Sequence, residues 1–344
     1  MNLRERSNAS TTSPPIGVGI IGLGRIGALH ADHLMNAIRG ARLVRAAVDP
    51  AHKKKLEAEG YPIPLTDDPA ALINDPEVEA VVIASPSTFH YEHIVLVTET
   101  RKPLFCEKPL ADNVPDAMKA ADKIRTSGIP FQIGFQRRFD RGYKRARQLI
   151  EQGCIGVPEL FKGVTCDRIP SVDYLKTSGG LFWDLGVHDF DAASFLTGLE
   201  IESVYAHGAV LVDKQLEEID DVDYGLVILR FSSGAMGVVH NAWRAPWGYE
   251  IRAEVYGSKG KVVTELDEKF PTRLYDQRGI VIDRHTLFTE RFRDAYRDEI
   301  QAFIDAILAG KIPSPGVDDA VKALLVADAA TRSRKSHNWV QIPL

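Results

Sequence analysis

Cysteine is scarce in this chain. Cys106, Cys154 and Cys166 are three thiols among 344 residues, an odd number without the paired spacing of a zinc finger. That count excludes a disulfide scaffold, and the three thiols read as reduced and buried in a cytoplasmic protein. No apolar run approaches the roughly 20 residues that a membrane-spanning helix needs. Neither sign of charge dominates: 42 Lys and Arg face 47 Asp and Glu, for a net charge of −5, which argues against a general nucleic-acid surface. Repeats and low-complexity tracts are missing too. Residues 1–15 are polar, lack the apolar core of a secretory signal, and read as a disordered extension.

Apolar residues make up 44% of the chain and charged residues 26%, which suits a soluble globular protein, and the length suits two domains. Ile16 to Gly22 is a β-rich run that ends in Gly22-Leu23-Gly24-Arg25-Ile26-Gly27, and a helical pattern begins at once. G-x-G-x-x-G between strand and helix is a dinucleotide fingerprint: glycines allow a tight turn and close approach of a pyrophosphate at a helix N-terminus. The next strand, Leu43 to Val48, ends in Asp49, placed to accept hydrogen bonds from the adenosine ribose and to repel a 2′-phosphate. NAD is therefore expected ahead of NADP. His30, His33 and His52 read as solvent-facing helix residues.

Alternation continues through strands at Ala80–Ala84, Leu104–Cys106 and Phe131–Phe135, with helices from Phe89 to Thr100 and Asn113 to Ser127, which predicts a doubly wound parallel sheet. Ligands of such sheets lie beyond the carboxyl ends of the strands. Ser85-Pro86, Glu107-Lys108-Pro109 and Gln136-Arg137 stand there. Pro109 keeps Lys108 out of helical backbone.

After residue 135 the pattern changes to longer strands joined directly: Val157–Cys166, Glu202–Val212, Val222–Phe231, Gly234–Trp243, Glu250–Tyr256 and Lys261–Leu266. These predict a large, mostly antiparallel sheet in an α+β domain, with amphipathic helices Arg291–Ala309 and Asp318–Ser333 closing the chain. The expected division is 1–15 as extension, 16–135 as dinucleotide domain and 136–344 as substrate-binding and oligomerisation domain. Against that sheet the sequence sets Gly179 to Thr197, read as one helix, apolar nearly all round and hence buried. Asp184 and His188 are four residues apart, on one face, with Asp191 in the same stripe. A buried carboxylate and imidazole need partners. A metal pair at this spacing lacks an evident third ligand, and a satisfied structural pair is the other bland reading. Asp191 reads as structural, and Trp183, Trp243 and Trp247 as packing residues.

Those motifs together, Gly22-x-Gly24-x-x-Gly27, Ala84-Ser85-Pro86, Glu107-Lys108-Pro109 and Gly179-Gly180…Asp184…His188-Asp189-x-Asp191, resemble the Gfo/Idh/MocA oxidoreductase family. Gly134-Phe135-Gln136-Arg137-Arg138-Phe139-Asp140, Asp220-Asp221-Val222-Asp223, Tyr256-Gly257-Ser258-Lys259-Gly260 and Arg293-Asp294-Ala295-Tyr296 look most like its inositol 2-dehydrogenase branch. The resemblance implies catalytic roles for Lys108, Asp184 and His188. It implies cofactor contacts from Gly22, Gly24, Arg25, Ile26, Gly27, Asp49, Ser85, Pro86, His90, Glu107, Lys108 and Gln136. Arg137, Asp167 and Tyr249 would join the catalytic residues on the substrate side. Homo-oligomers, dimers or tetramers, are implied as well. Where relatives carry polar residues around an Arg-x-Pro, this chain reads Cys166-Asp167-Arg168-Ile169-Pro170, and Ile169 offers no hydrogen bond.

Oxidation of a secondary alcohol needs a hydride acceptor, which NAD supplies, and a proton acceptor, which His188 or Lys108 could be. The substrate expected first is myo-inositol, then scyllo-inositol or another sugar or anhydrosugar. A non-catalytic NAD-binding sensor is the reading from a different class, and Lys108, Asp184 and His188 together speak against it.

Overall fold

The computed structural model describes residues 14–264 and 268–343; the extension expected over 1–15 and the end of the strand expected over Lys261–Leu266 lie largely outside them. The first unit alternates β1 (Ile16–Ile21), α1 (Arg25–Asn36), β2 (Ala41–Ala47), α2 (Pro50–Ala58), β3 (Leu65–Thr66), α3 (Pro69–Asn74), β4 (Ala80–Ile83), α4 (His90–Thr100), β5 (Leu104–Glu107), α5 (Val114–Ser127) and β6 (Phe131–Gly134). Every pairing in its sheet is parallel, in the order β3-β2-β1-β4-β5-β6. The strand order reverses between β1 and β4, so a crevice opens beyond their carboxyl ends. Short side-chain signals set the helix starts: Asp49, Asp68 and Asn113 each cap one, with proline in the first turn.

The second unit runs α6 (Arg141–Glu151), β7 (Pro158–Cys166), α7 (Val172–Ser178), α8 (Val187–Thr197), β8 (Ile201–Ala209), β9 (Tyr224–Phe231), β10 (Met236–Ala242), β11 (Glu250–Gly257) and β12 (Gly260–Thr264). Then come β13 (Glu268–Asp276), β14 (Gly279–Arg284), α9 (Phe288–Arg291), α10 (Arg293–Leu308), α11 (Val317–Ser336) and β15 (Val340–Gln341). Seven strands pair in the order β12-β11-β7-β10-β9-β8-β15, antiparallel except between β7 and β10. The expected α/β Rossmann unit followed by a large open sheet is the observed architecture. The β13–β14 hairpin is an addition to the expected strands: nearly all of its residues are exposed, so no buried face marks it in the sequence.

On β9 the alternation is strict: Val227, Leu229 and Phe231 face inward while Leu226, Ile228 and Arg230 face out. Inward, the sheet meets α6, α8 and α11.

Three expectations fail here. His30 and His33 are buried, at 0% and 4% exposure, because α10 returns from the far end of the chain and covers α1. Ile300, Phe303 and Ile304 of α10 join Val18, Leu34 and Phe105 in one apolar cluster, each worth about 1.5–3 kcal/mol of burial. Cys154 is exposed, since it sits in the turn between α6 and β7 instead of a packed element. Trp247 is also exposed, donating its indole N–H to Glu250 Oε2 at 2.7 Å.

Candidate active site

A cavity of about 770 Å³ runs from the glycine turn to α8, within the range of small-molecule and cofactor sites. At one end, Gly22 has φ +94°, and a Cβ there would stand 2.6 Å from Ala84 O and Ser85 N. A Cβ on Gly27 would lie 2.0 Å from Gly22 O, whereas Gly24 meets nothing within 4 Å. The first and third glycines thus close the strand against the helix, and the middle one leaves the cavity open. The N-terminus of α1 carries no side-chain cap, so its amides are available to an anion. Asp49 lines the same end; its Oδ1 caps α2 through Ala51 and His52 N–H, at 3.1 and 3.0 Å. These residues fit a dinucleotide.

At the other end, the stretch expected as one helix is broken into parts. Gly179 and Gly180 take φ +82° and +90°, so helical backbone begins only at Leu181, whose N–H donates to Asp221 Oδ1 at 3.1 Å. Phe182–Gly186 is a π-helical turn, and α8 follows. Such turns reorient side chains at functional sites. Here the consequence is that Asp184 turns to Lys108 and not to the imidazole. Lys108 Nζ donates to Asp184 Oδ1 at 2.7 Å and to Asp184 O at 2.9 Å, and the Tyr174 hydroxyl bonds the same carboxylate. The Lys108–Pro109 bond is cis.

His188 lines the cavity, and its Nδ1 has no hydrogen-bond partner among the described residues. Burial, then the charges of Lys108 and Arg137, push its pKa well below the ordinary histidine value, so the ring is neutral at pH 7. Asp167 is raised to about 6 by burial, opposed by the Arg168 N–H and the Arg25 charge.

Most of the expected residues stand on this wall: Gly22, Gly24, Arg25, Ile26, Asp49, Ser85, Pro86, Glu107, Lys108, Gln136, Asp167, Asp184, His188 and Tyr249. Three do not. Gly27 packs against the turn behind it. His90 is buried with its ring nitrogens 2.7 Å from Pro109 O and 2.9 Å from Ser85 O, so it braces the two strand-end loops without reaching the cavity. Arg137, 1% exposed, donates to Asp189 Oδ1 at 2.6 Å and Thr165 Oγ1 at 2.8 Å. It belongs to a buried network beneath α8, joined by Asn241 Nδ2 at 2.7 Å from Asp189 Oδ2. Asp191 bridges to Arg138, which it meets at 2.6 Å, as its structural reading required.

Sequence reasoning missed His93, Tyr174, Thr177, Ser178, Trp243 and Tyr296, all on the wall. Thr177 and Ser178 immediately precede the Gly179-Gly180 pair, a signal that was available. Trp243 was read as packing, yet its buried Nε1 has no partner among the described residues and remains a free donor.

Comparison with known proteins agrees with this geometry. Residues 16–135 match an oxidoreductase family with an NAD-binding Rossmann fold, and residues 143–263 match the GFO/IDH/MocA C-terminal domain. The myo-inositol 2-dehydrogenase of Thermotoga maritima is 37% identical, over 94% of this chain and 98% of its own length. An NAD-dependent scyllo-inositol 2-dehydrogenase of Bacillus subtilis is 36% identical, over 94% and 95%. Among solved structures, scyllo-inositol dehydrogenase from Lactobacillus casei with bound NAD(H) and scyllo-inositol superimposes with a TM-score of 0.89 at 29% identity, covering 95% of this chain and 99% of that one.

Proposed function

This chain belongs to the Gfo/Idh/MocA oxidoreductase family, and we propose that it is an NAD-dependent inositol 2-dehydrogenase that oxidises a ring hydroxyl of myo-inositol to the ketone. The observation that carries the reading is the Lys108–Asp184 pair, 2.7 Å apart, on the wall that also holds His188 and the uncapped end of α1.

The α1 amides and the Gly22–Gly27 turn bind the pyrophosphate, and Asp49 takes the adenosine ribose. NAD supplies the hydride acceptor. Asp184 holds the Lys108 ammonium, which stabilises negative charge on the substrate oxygen as its proton leaves. His188, kept neutral by burial, Lys108 and Arg137, accepts that proton. The buried Arg137–Asp189–Thr165–Asn241 network fixes α8 beneath the reacting groups. Asp167, Tyr249 and the Trp243 N–H hold the remaining hydroxyls.

A second reading, scyllo-inositol, draws on the relatives that act on it and on Ile169, an apolar side chain on the wall. NADH release measured over cyclitols and monosaccharides, with NAD and with NADP, decides among these. Fastest turnover of myo-inositol with NAD is expected. Fastest turnover of another polyol overturns the substrate, and a lower KM for NADP overturns the role of Asp49. No NADH from any polyol would leave the sensor reading standing.

The enzyme acts in the cytoplasm, consistent with free thiols at Cys106 and Cys166. It associates through the outer face of its large sheet, where Leu226, Ile228 and Met236 are exposed.

A further inference from the structure

Behind Lys108 and the cavity wall lies a cluster that the proposed reaction does not use: His30 from α1, Glu107 at the end of β5 and Glu299 from α10. One nitrogen or oxygen of each lies within 4.8 Å of the others. His30 Nε2 is 2.7 Å from Glu107 Oε1 and 4.0 Å from Glu299 Oε1. The carboxylate of Glu107 fits into the hollow left by Gly134, where a Cβ would stand 3.0 Å from its Oε2. Phe105 and Tyr296 set their ring edges against His30, at 5.4 and 5.8 Å between centroids. Glu299 is 0% exposed, and neither of its oxygens has a hydrogen-bond partner among the described residues.

Two neighbouring carboxylates at a buried site disfavour each other's charge, since an unpaired buried charge costs far more than protonation does; the His30 ring is bonded to Glu107 and stands 4.0 Å from Glu299. Glu299 faces His30, Glu107 and the Tyr296 phenol, and its backbone carbonyl accepts from Gln132 Nε2 at 2.9 Å; among the described residues, the carboxylate forms no ion pair with Lys or Arg. Burial and then the neighbouring Glu107 push its pKa well above the ordinary carboxyl value.

We propose that Glu299 is a buried, neutral carboxylic acid that fills the space behind the His30–Glu107 pair and so keeps Glu107 in one pose at the floor of the cofactor slot. Glu299 is thus a positioning residue for the dehydrogenase: Glu107 lines the slot and is bonded in sequence to Lys108. The inference rests on the dehydrogenase reading only in taking that slot as the NAD site.

Infrared spectroscopy of the full chain at pH 7 tests it. A carbonyl band of a protonated carboxyl is expected and should vanish in Glu299→Gln. Glu299→Leu should raise the Kd for NADH about tenfold, and Glu299→Gln, which keeps the shape and a neutral polar end, should restore most of it. Both readouts need no polyol, so they fail separately from the substrate assignment. Absence of the band, a stoichiometric divalent metal in the purified protein, or an unchanged Kd in a folded Glu299→Leu would each overturn the proposal.

Discussion

Two glycine-led turns face each other across the cavity. Gly22-x-Gly24-x-x-Gly27 opens α1, and Gly179-Gly180 opens the π-helical turn before α8. In both, positive φ lets the chain reverse into a helix. At Gly22 a Cβ would meet backbone, at Ala84 and Ser85. At Gly180 it would meet a side chain, 2.8 Å from Asp221 Oδ1. The first turn presents amides and an open glycine, so its chemistry is that of the backbone. The second aims side chains, Asp184 at Lys108 and His188 into the cavity. One half binds with atoms that every residue has, while the other reacts with atoms that only a few residues have.

The comparison is sharpest where side chains react. Lys108→Ala and His188→Ala should each lower kcat by about 10²–10⁴-fold while changing the Kd for NADH little, as stopped-flow binding and steady-state turnover would read. A loss of NADH affinity as large as the loss of kcat would erase the division of labour. Gly22→Ala should do the reverse, weakening NADH binding and lowering stability by about 1–3 kcal/mol for the strained backbone. Titration calorimetry and thermal melts check both, and unchanged NADH affinity would break the backbone reading of the first turn.

Asp167 gives the smallest effect. Its pKa is raised in the folded protein to about 6, chiefly by burial, against the reference of about 3.9 for an unfolded chain. Folding is therefore penalised as pH rises from 4 through 6, and fully above 6. Asp167→Asn should raise Tm by about 2–4 °C at pH 8 and leave it unchanged near pH 4. The acid limb of kcat/KM near pH 6 should also disappear, if the Asp167 carboxylate holds the substrate. Equal Tm values at pH 8 would show that the wall pays nothing for its charge.

Much of this was legible in the chain itself. The Gly22–Gly27 turn, Asp49 and the positions of Ser85 and Lys108 follow from local order, because a strand, a glycine turn and a helix are each set by neighbouring residues. Asp184 and His188 were found as polar residues on an apolar helix, and they do reach the cavity. Arg137 was carried to the wall by its place at a strand end as well as by resemblance, His90 by resemblance alone, and both are buried behind it. Nothing local distinguishes an arginine that lines a cleft from one that supports it, since Asp189, Thr165 and Asn241 come from other elements.

Periodicity and turn residues thus determined two sheets, their order along the chain and the residues able to bind a dinucleotide or move a proton, because those depend on contacts within a few positions. Tertiary packing decided that α10 covers α1, which buries His30 and brings Glu299 to Glu107 across a separation of 192 positions. It also decided that a π-helical turn aims Asp184 at Lys108. Both outcomes depend on which distant surface fills a given space, and no short window of sequence carries that information.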